Sequence, residues 1–125
     1  MRANLSSTLW GIESEARAAR CIDGDVGDDN GSDGRLAICH TNKENAPWLA
    51  IDYGTQVRVA KVEIFNRRGC CGSRTRNVDV RIANQLPTSG SEIFLGGTQL
   101  GSRFVGPAAN GQIITISGPH LLTDT

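Results

Sequence analysis

Asn66-Arg67-Arg68-Gly69-Cys70-Cys71-Gly72-Ser73-Arg74 joins two runs of sequence suited to β-strands. On its N-terminal side, Val57 to Asn66 is the strongest strand candidate in the chain. Val57, Val59 and Lys61 fall on one face and Arg58, Ala60, Val62 and Ile64 on the other. The alternation blurs toward Phe65, as in a buried sandwich strand. On its C-terminal side, Arg76 to Asn84 alternates cleanly, with Val78, Val80 and Ile82 inward and Asp79, Arg81 and Ala83 outward. That is the period of two a pleated strand requires. The stretch between them is a tight connection, bracketed by Gly69 and Gly72, with arginines and two adjacent cysteines at its tip.

Farther out, Trp48 to Asp52 reads as a short strand ending at Gly54. Ile93 to Leu95, Arg103 to Val105 and Ile113 to Ile116 are shorter candidates. Turn signals separate them at Pro87-Thr88-Ser89-Gly90, Gly96-Gly97, Gly106-Pro107 and Asn110-Gly111. Residues 1 to 12 suit an edge strand or coil, and Ser14 is placed to cap a short helical turn through Ala19. Fifteen glycines in 125 residues also favour turns over long helices. Many short strands at this spacing predict an antiparallel β-sandwich, and the length suits one domain.

Thirteen basic and thirteen acidic residues cancel, which disfavours a general nucleic-acid binder. No apolar run approaches the length of about 18 residues needed for a membrane span. Catalytic chemistry finds little support. There are only two histidines, His40 and His120, no nucleophile elbow and no H-E-x-x-H, and His40, Asp52 and Ser73 lack the spacing of a triad. A neutral strand-rich chain with arginines and a histidine on its loops reads as a non-enzymatic binding module.

The four cysteines, at 21, 39, 70 and 71, contain no C-x-x-C, which makes zinc a poor fit. Their even number suits a disulfide-bonded extracellular domain, as do the sequons at Asn4-Leu5-Ser6 and Asn30-Gly31-Ser32. Cys70 and Cys71 have two readings: each bonds elsewhere or stays reduced, or they bond each other in a small strained ring that the flanking glycines relax. Residues 23 to 35 hold five aspartates and four glycines. This loop suits calcium or is a solvated acidic surface, and it does not follow the EF-hand pattern.

His40-Thr41-Asn42, Ala46-Pro47-Trp48, Ile51-Asp52-Tyr53-Gly54 and Asn66-Arg67 with Cys70-Cys71 and Arg74 together resemble the F-type lectins, or fucolectins. Twenty-six residues separate His40 from Arg67, and Arg74 follows Arg67 by seven, as that family's signature asks. The resemblance implies an eight-stranded antiparallel jelly-roll β-sandwich of the discoidin, galactose-binding-like kind, as one domain over 1–125. It implies a secreted lectin that recognises terminal L-fucose on glycans or glycoproteins and is no enzyme; the alternatives are a discoidin-like adhesion module and a binder of sulfated or phosphorylated groups through Arg67, Arg68, Arg74 and Arg76. It further implies no nucleic-acid partner, no membrane insertion, and room for self-association.

By position, His40, Arg67 and Arg74 hold the sugar, with a bonded Cys70–Cys71 as an apolar plate and Trp10 and Arg68 at the pocket edge. A structural calcium is implied at Asp23 by side chain, with Arg20, Asp25 and Ile38 by backbone oxygen. The chain departs from the pattern in three ways. Gly69 stands where the family has an arginine-orienting aspartate, Cys21 is extra, and the closing strand with its cysteine and calcium-binding glutamate has no counterpart. Cys21 and Cys39 are therefore expected to pair with each other, and the calcium site to be weakened.

Overall fold

A computed structural model describes residues 1–9, 11, 17–24, 38–85, 87 and 95–122, with backbone alone for 119–122. The chain divides into two compact units, Met1–Gly54 with Leu86–Phe94 (unit 1), and Thr55–Gln85 with Leu95–Thr125 (unit 2).

In unit 1, β1 (Arg2–Leu5) pairs antiparallel with β2 (Leu49–Asp52), Arg2 opposite Asp52 and Leu5 opposite Leu49. The Ser6 amide donates to the Trp48 carbonyl at 3.0 Å and the Leu9 amide to the His40 carbonyl at 2.9 Å, so the chain after β1 stays tied to residues 40–48. A 3₁₀ turn forms over Ala18–Cys21, later in the chain than the helical turn expected through Ala19; Arg17 before it is extended, and Ser14, Glu15 and Ala16 lie outside the described residues. Cys21 bonds Cys39 with Cα atoms 5.2 Å apart, and closing a loop of that size contributes roughly 3 kcal/mol by the chain-entropy estimate.

Unit 2 contains β3 (Arg58–Phe65), β4 (Val78–Ile82), β5 (Thr98–Phe104) and β6 (Ile113–Leu122). β3 pairs antiparallel with β6 and β4 with β5. Leu100, Ala108, Ile114 and Ile116 are buried at the centre. Val59, Val62 and Ile64 of β3, Val78, Val80 and Ile82 of β4, and Phe104 of β5 pack around them. The inner faces of both strand pairs thus share one apolar core, as a sandwich requires.

The irregular face of β3 has a concrete cause. Its pairing with β6 shifts register between Val59 and Lys61. Such a bulge turns Val59 onto the same face as Val62 and Ile64 and leaves Ala60 and Lys61 outward. β4 and β5 shift between Val78 and Val80, opposite Gly101. Gly101 has φ +62°, and a β-carbon there would run into the Ser117 carbonyl oxygen. Only glycine fits that bulge.

Six strands stand among the described residues, against the eight expected, and every described pairing is antiparallel. β5 starts at Thr98, before the expected Arg103, and β6 runs beyond the expected Ile116. Most of the Ile93–Leu95 candidate lies outside the described residues, and Leu95 itself is not in a strand. No helix of the described chain is long and apolar enough to cross a membrane.

Candidate functional site

The connection between β3 and β4 is held from beneath by one side chain. Asn66, the first residue after β3, is 8% exposed. Its side-chain amide donates to the Gly72 carbonyl at 3.0 Å and the Ala109 carbonyl at 2.8 Å, and its oxygen accepts from the Thr75 hydroxyl at 2.7 Å. Both donors and the acceptor of the carboxamide are used. Its backbone amide donates to the Gln112 carbonyl at 3.0 Å. Segment 105–112 completes the frame. Asn110 Oδ1 accepts from the Gly72 amide at 2.8 Å, the Gly111 amide donates to the Arg67 carbonyl at 2.8 Å, and the Ala108 amide donates to the Thr75 carbonyl at 2.9 Å.

On this frame Cys70 and Cys71 bond each other with Cα atoms 3.7 Å apart. Cys71 has φ +65°, a left-handed conformation that costs a residue with a β-carbon on the order of 1 kcal/mol. Gly72, buried, opens a 3₁₀ turn to Arg74. A β-carbon on Gly72 would sit 2.6 Å from the Asn110 backbone nitrogen and 2.7 Å from the Ala109 carbonyl carbon. The turn therefore sits hard against the 109–110 backbone.

The same turn presents the arginines. Arg67 is half-buried and Arg68, Arg74 and Arg76 are exposed. A guanidinium offers five donors in a fixed fork and no acceptor. The two cysteines beside them are half-buried and offer sulfur surface with little hydrogen-bonding capacity. Arg67, Arg68, Arg74, Cys70 and Cys71 are thus brought together on one turn of unit 2.

His40, Arg20, Asp23 and Ile38 belong to unit 1. His40 Nδ1 contacts the Thr41 carbonyl oxygen. A carbonyl only accepts, so Nδ1 carries the hydrogen and Nε2 is the acceptor of the neutral ring. The loop that follows is fixed by Glu44, which accepts from the hydroxyls of Ser6 at 2.5 Å and Ser7 at 2.6 Å. Those hydroxyls in turn accept from the Trp48 amide at 3.0 Å and the Asn42 amide at 2.9 Å.

The hydrogen bonds from Ser6, and then Ser7, hold the Glu44 carboxyl below its ordinary value. In unit 2 the Arg103 guanidinium, 2.6 Å away, does the same for Asp79. Both depressed groups stabilise the fold when ionised. Their contribution is complete above the ordinary carboxylate range and is lost as pH falls through the lowered folded values. Urea midpoints are expected to hold near neutrality and to fall as pH drops below about 4.5. Glu44→Gln should make that fall shallower, and an equally steep fall in the variant would remove Glu44 from the effect.

The calcium set is only partly described. Asp25 and the rest of the acidic loop to residue 37 lie outside the described residues, as does Trp10. The Asp23 carboxylate faces the Arg20 guanidinium at 3.9 Å, so its charge is already partly answered. Among the described residues no group of three or more metal-ligating side chains occurs. One carboxylate with backbone carbonyls falls short of the six to eight oxygens calcium takes. The described residues alone do not make up that site.

Sequence reading singled out the arginines and cysteines but not Asn66's structural part, nor Thr75, Asn110, Glu44, Ser6 and Ser7. The Asn66 side chain partners residues up to 43 positions away and Glu44 residues 37 and 38 positions away. Asn110-Gly111 carried only a turn signal.

The sequence profile described as NedA-like, galactose-binding domain matches residues 20–105. This chain belongs to that galactose-binding domain family. Among curated proteins, the pentraxin fusion protein of Xenopus laevis is 34% identical over 84 residues, covering 67% of this chain and 19% of that protein. Fucolectin-4 of Anguilla japonica is 36% identical over 90 residues, covering 71% of this chain and 48% of that protein. The matches thus span about a fifth and about half of the two relatives. Among solved structures, a fucolectin from the serum of striped bass, Morone saxatilis, superposes with a TM-score of 0.78 at 24% identity, over 98% of this chain and 38% of that one. That likeness establishes the all-β sandwich fold. The family and the fucolectin relative are similarities to carbohydrate-binding proteins.

Proposed function

We propose that this lectin domain recognises terminal L-fucose, with Arg67 and Arg74 donating to the sugar's oxygens and the bonded Cys70–Cys71 lying under its C–H edge. The observation that carries the reading is the turn itself, two arginines and a neighbour disulfide held by Asn66 and segment 105–112. A turn held in place before binding loses little freedom when the ligand arrives. Clustered sugar oxygens accept what guanidinium groups donate, and the sulfurs offer a surface to the part of the ring that has no hydroxyl. The lectin resemblance, through the spacing from Arg67, makes His40 a further candidate for the sugar. The printed names of two relatives, both fucolectins, support the same ligand.

Galactose is the competing monosaccharide, since the family takes its name from it. L-Fucose has the galacto arrangement of hydroxyls in the opposite absolute configuration and lacks the 6-hydroxyl. A glycan array with fucosylated, galactosylated and sulfated ligands decides the matter. Binding is expected to follow terminal fucose, and retention by galactose-terminated glycans alone would overturn the reading.

The partners in this reading are fucosylated glycoproteins outside the cell, where two disulfides would persist. Calcium, in the same reading, binds weakly. A ligand at 100 times its dissociation constant adds about 2.7 kcal/mol, which moves the melting temperature of a domain this small by several degrees. Melting in calcium and in chelator should differ by less than that. A shift of several degrees would mean that Asp25 and the acidic loop complete a tight site.

A further inference from the structure

Asn110-Gly111, a turn signal in the sequence, is also part of the frame under the 66–74 turn. It carries a second property. An asparagine followed by glycine is the pair most open to deamidation, because glycine has no side chain to shield its amide nitrogen. That nitrogen gives its proton to solvent base and attacks the asparagine side-chain carbonyl carbon. A carbon–nitrogen bond forms, the bond to the side-chain nitrogen breaks, and ammonia leaves. Water then opens the cyclic imide at either carbonyl. One opening gives aspartate. The other gives isoaspartate, in which the main chain runs through the former side-chain carbon. Water is the only co-reactant.

The fold occupies both reacting groups. The Gly111 amide donates to the Arg67 carbonyl at 2.8 Å, so its proton is held. Asn110 Oδ1 accepts from the Gly72 amide at 2.8 Å, so the side chain is held toward the 66–74 turn. The Gln112 amide donates to the Ala109 carbonyl at 3.2 Å, and Gly111 has φ +70° whereas Asn110 keeps an ordinary negative φ. That is the pattern of a type II turn, which sets ψ of its first central residue near +120°. Imide closure needs this ψ on the negative side, so the turn must open first. Asn110 and Gly111 are both exposed, and water and base reach them once it does.

We propose that Asn110-Gly111 is a deamidation site held in check by this frame, and that its isoaspartyl product disables the sugar-binding turn. In isoaspartate the oxygen that accepts from Gly72 becomes the main-chain carbonyl oxygen ahead of Gly111, and the chain gains a carbon there. The bonds to the Gly72 amide and to the Arg67 carbonyl can no longer both keep their geometry. The site itself is independent of the fucose reading, and the loss of sugar binding rests on it.

Incubation at mildly alkaline pH followed by tryptic mapping tests the site. Cleavage after Arg103 leaves Asn110 as the only asparagine on the peptide that begins at Phe104. Its mass reports the exchange of NH2 for OH, and its elution separates aspartate from isoaspartate. Wild type unfolded in urea should convert at least about tenfold faster than folded wild type, because the folded chain reacts only through its open fraction. Asn66→Ala removes three bonds of the frame and should also convert about tenfold faster than folded wild type. Ile116→Ala, in the apolar core and outside the frame, should gain much less. The comparison of folded with unfolded wild type stands whether or not either variant folds. Equal rates in those two states, or no conversion at Asn110 in either, would overturn the proposal. Equal acceleration in the two variants would place the reaction in global unfolding and overturn the part given to the frame.

Isoaspartyl protein, separated from unconverted protein, is then titrated with methyl α-L-fucoside by calorimetry. Its affinity should be about tenfold lower. Asn110→Gln, whose longer side chain closes the ring poorly, should lose none of its own starting affinity over the same incubation. Isoaspartyl protein that binds as tightly as unconverted protein would overturn the disabling. Failure of fresh wild type to bind the fucoside would instead remove the fucose reading, and the loss of binding with it, while the mass measurement still decides the site.

Discussion

Arg74→Ala is expected to weaken L-fucose binding about ten- to hundredfold, because a hydrogen bond from a charged donor contributes about 1.5 to 3 kcal/mol. Arg74 closes the 3₁₀ turn after the bonded cysteines, and its amide donates to the Cys71 carbonyl at 3.1 Å. That backbone bond survives the substitution. The side chain is exposed and lies outside the apolar core, so the fold should tolerate its loss. Calorimetry at a temperature where both proteins are folded isolates the sugar contact. Arg74→Lys should recover only part of the affinity, since an ammonium cannot reproduce the guanidinium fork. Unchanged affinity in Arg74→Ala would take the residue out of the site.

Asn66→Ala should have the largest effect on stability, lowering it by about 3 kcal/mol and the melting temperature by on the order of 10 °C. The substitution strands the Gly72 and Ala109 carbonyls and the Thr75 hydroxyl, all of which Asn66 now satisfies. A buried polar group left without a partner costs about 1 to 3 kcal/mol, and water reaching the vacated space would recover part of that. Fucose affinity should fall as well, because the same bonds set the turn that carries Arg67 and Arg74. A core substitution of similar cost such as Ile116→Ala, about 2 to 5 kcal/mol, separates the two effects. If it lowers affinity as much as Asn66→Ala does, the frame has no special part in binding. Thermal melts on Asn66→Ala that match wild type would show the hydrogen-bond frame to be dispensable.

The strand pattern was legible wherever one face meets the core and the other meets water. Val78, Val80 and Ile82 alternate as expected because β4 keeps a regular face toward the core over that span. β3 was legible as a strand but not in its facing, since the bulge between Val59 and Lys61 is set by β6, far away in sequence. The start of β5 at Thr98 was hidden because its glycine and polar residues carry no alternation; Gly101 is there for a close approach of two strands rather than for a turn. The disulfide pairing followed from the lectin resemblance and holds for both bonds. Of the proposed sugar-binding groups, those on the 66–74 turn were legible because local sequence alone brings them together. Asn66 and Glu44 were not, because a satisfied polar side chain announces itself only through partners that folding supplies.

The central claim is that the Cys70–Cys71 turn takes L-fucose. Backbone amide chemical shifts, followed by NMR as methyl α-L-fucoside is added, test it most directly. The signals of Arg67 to Thr75 and of Asn110 and Gly111 are expected to move together along one saturable curve, with methyl D-galactoside causing much smaller changes at equal concentration. Saturable fucose binding that leaves those signals in place, or no response to fucose at all, would contradict it.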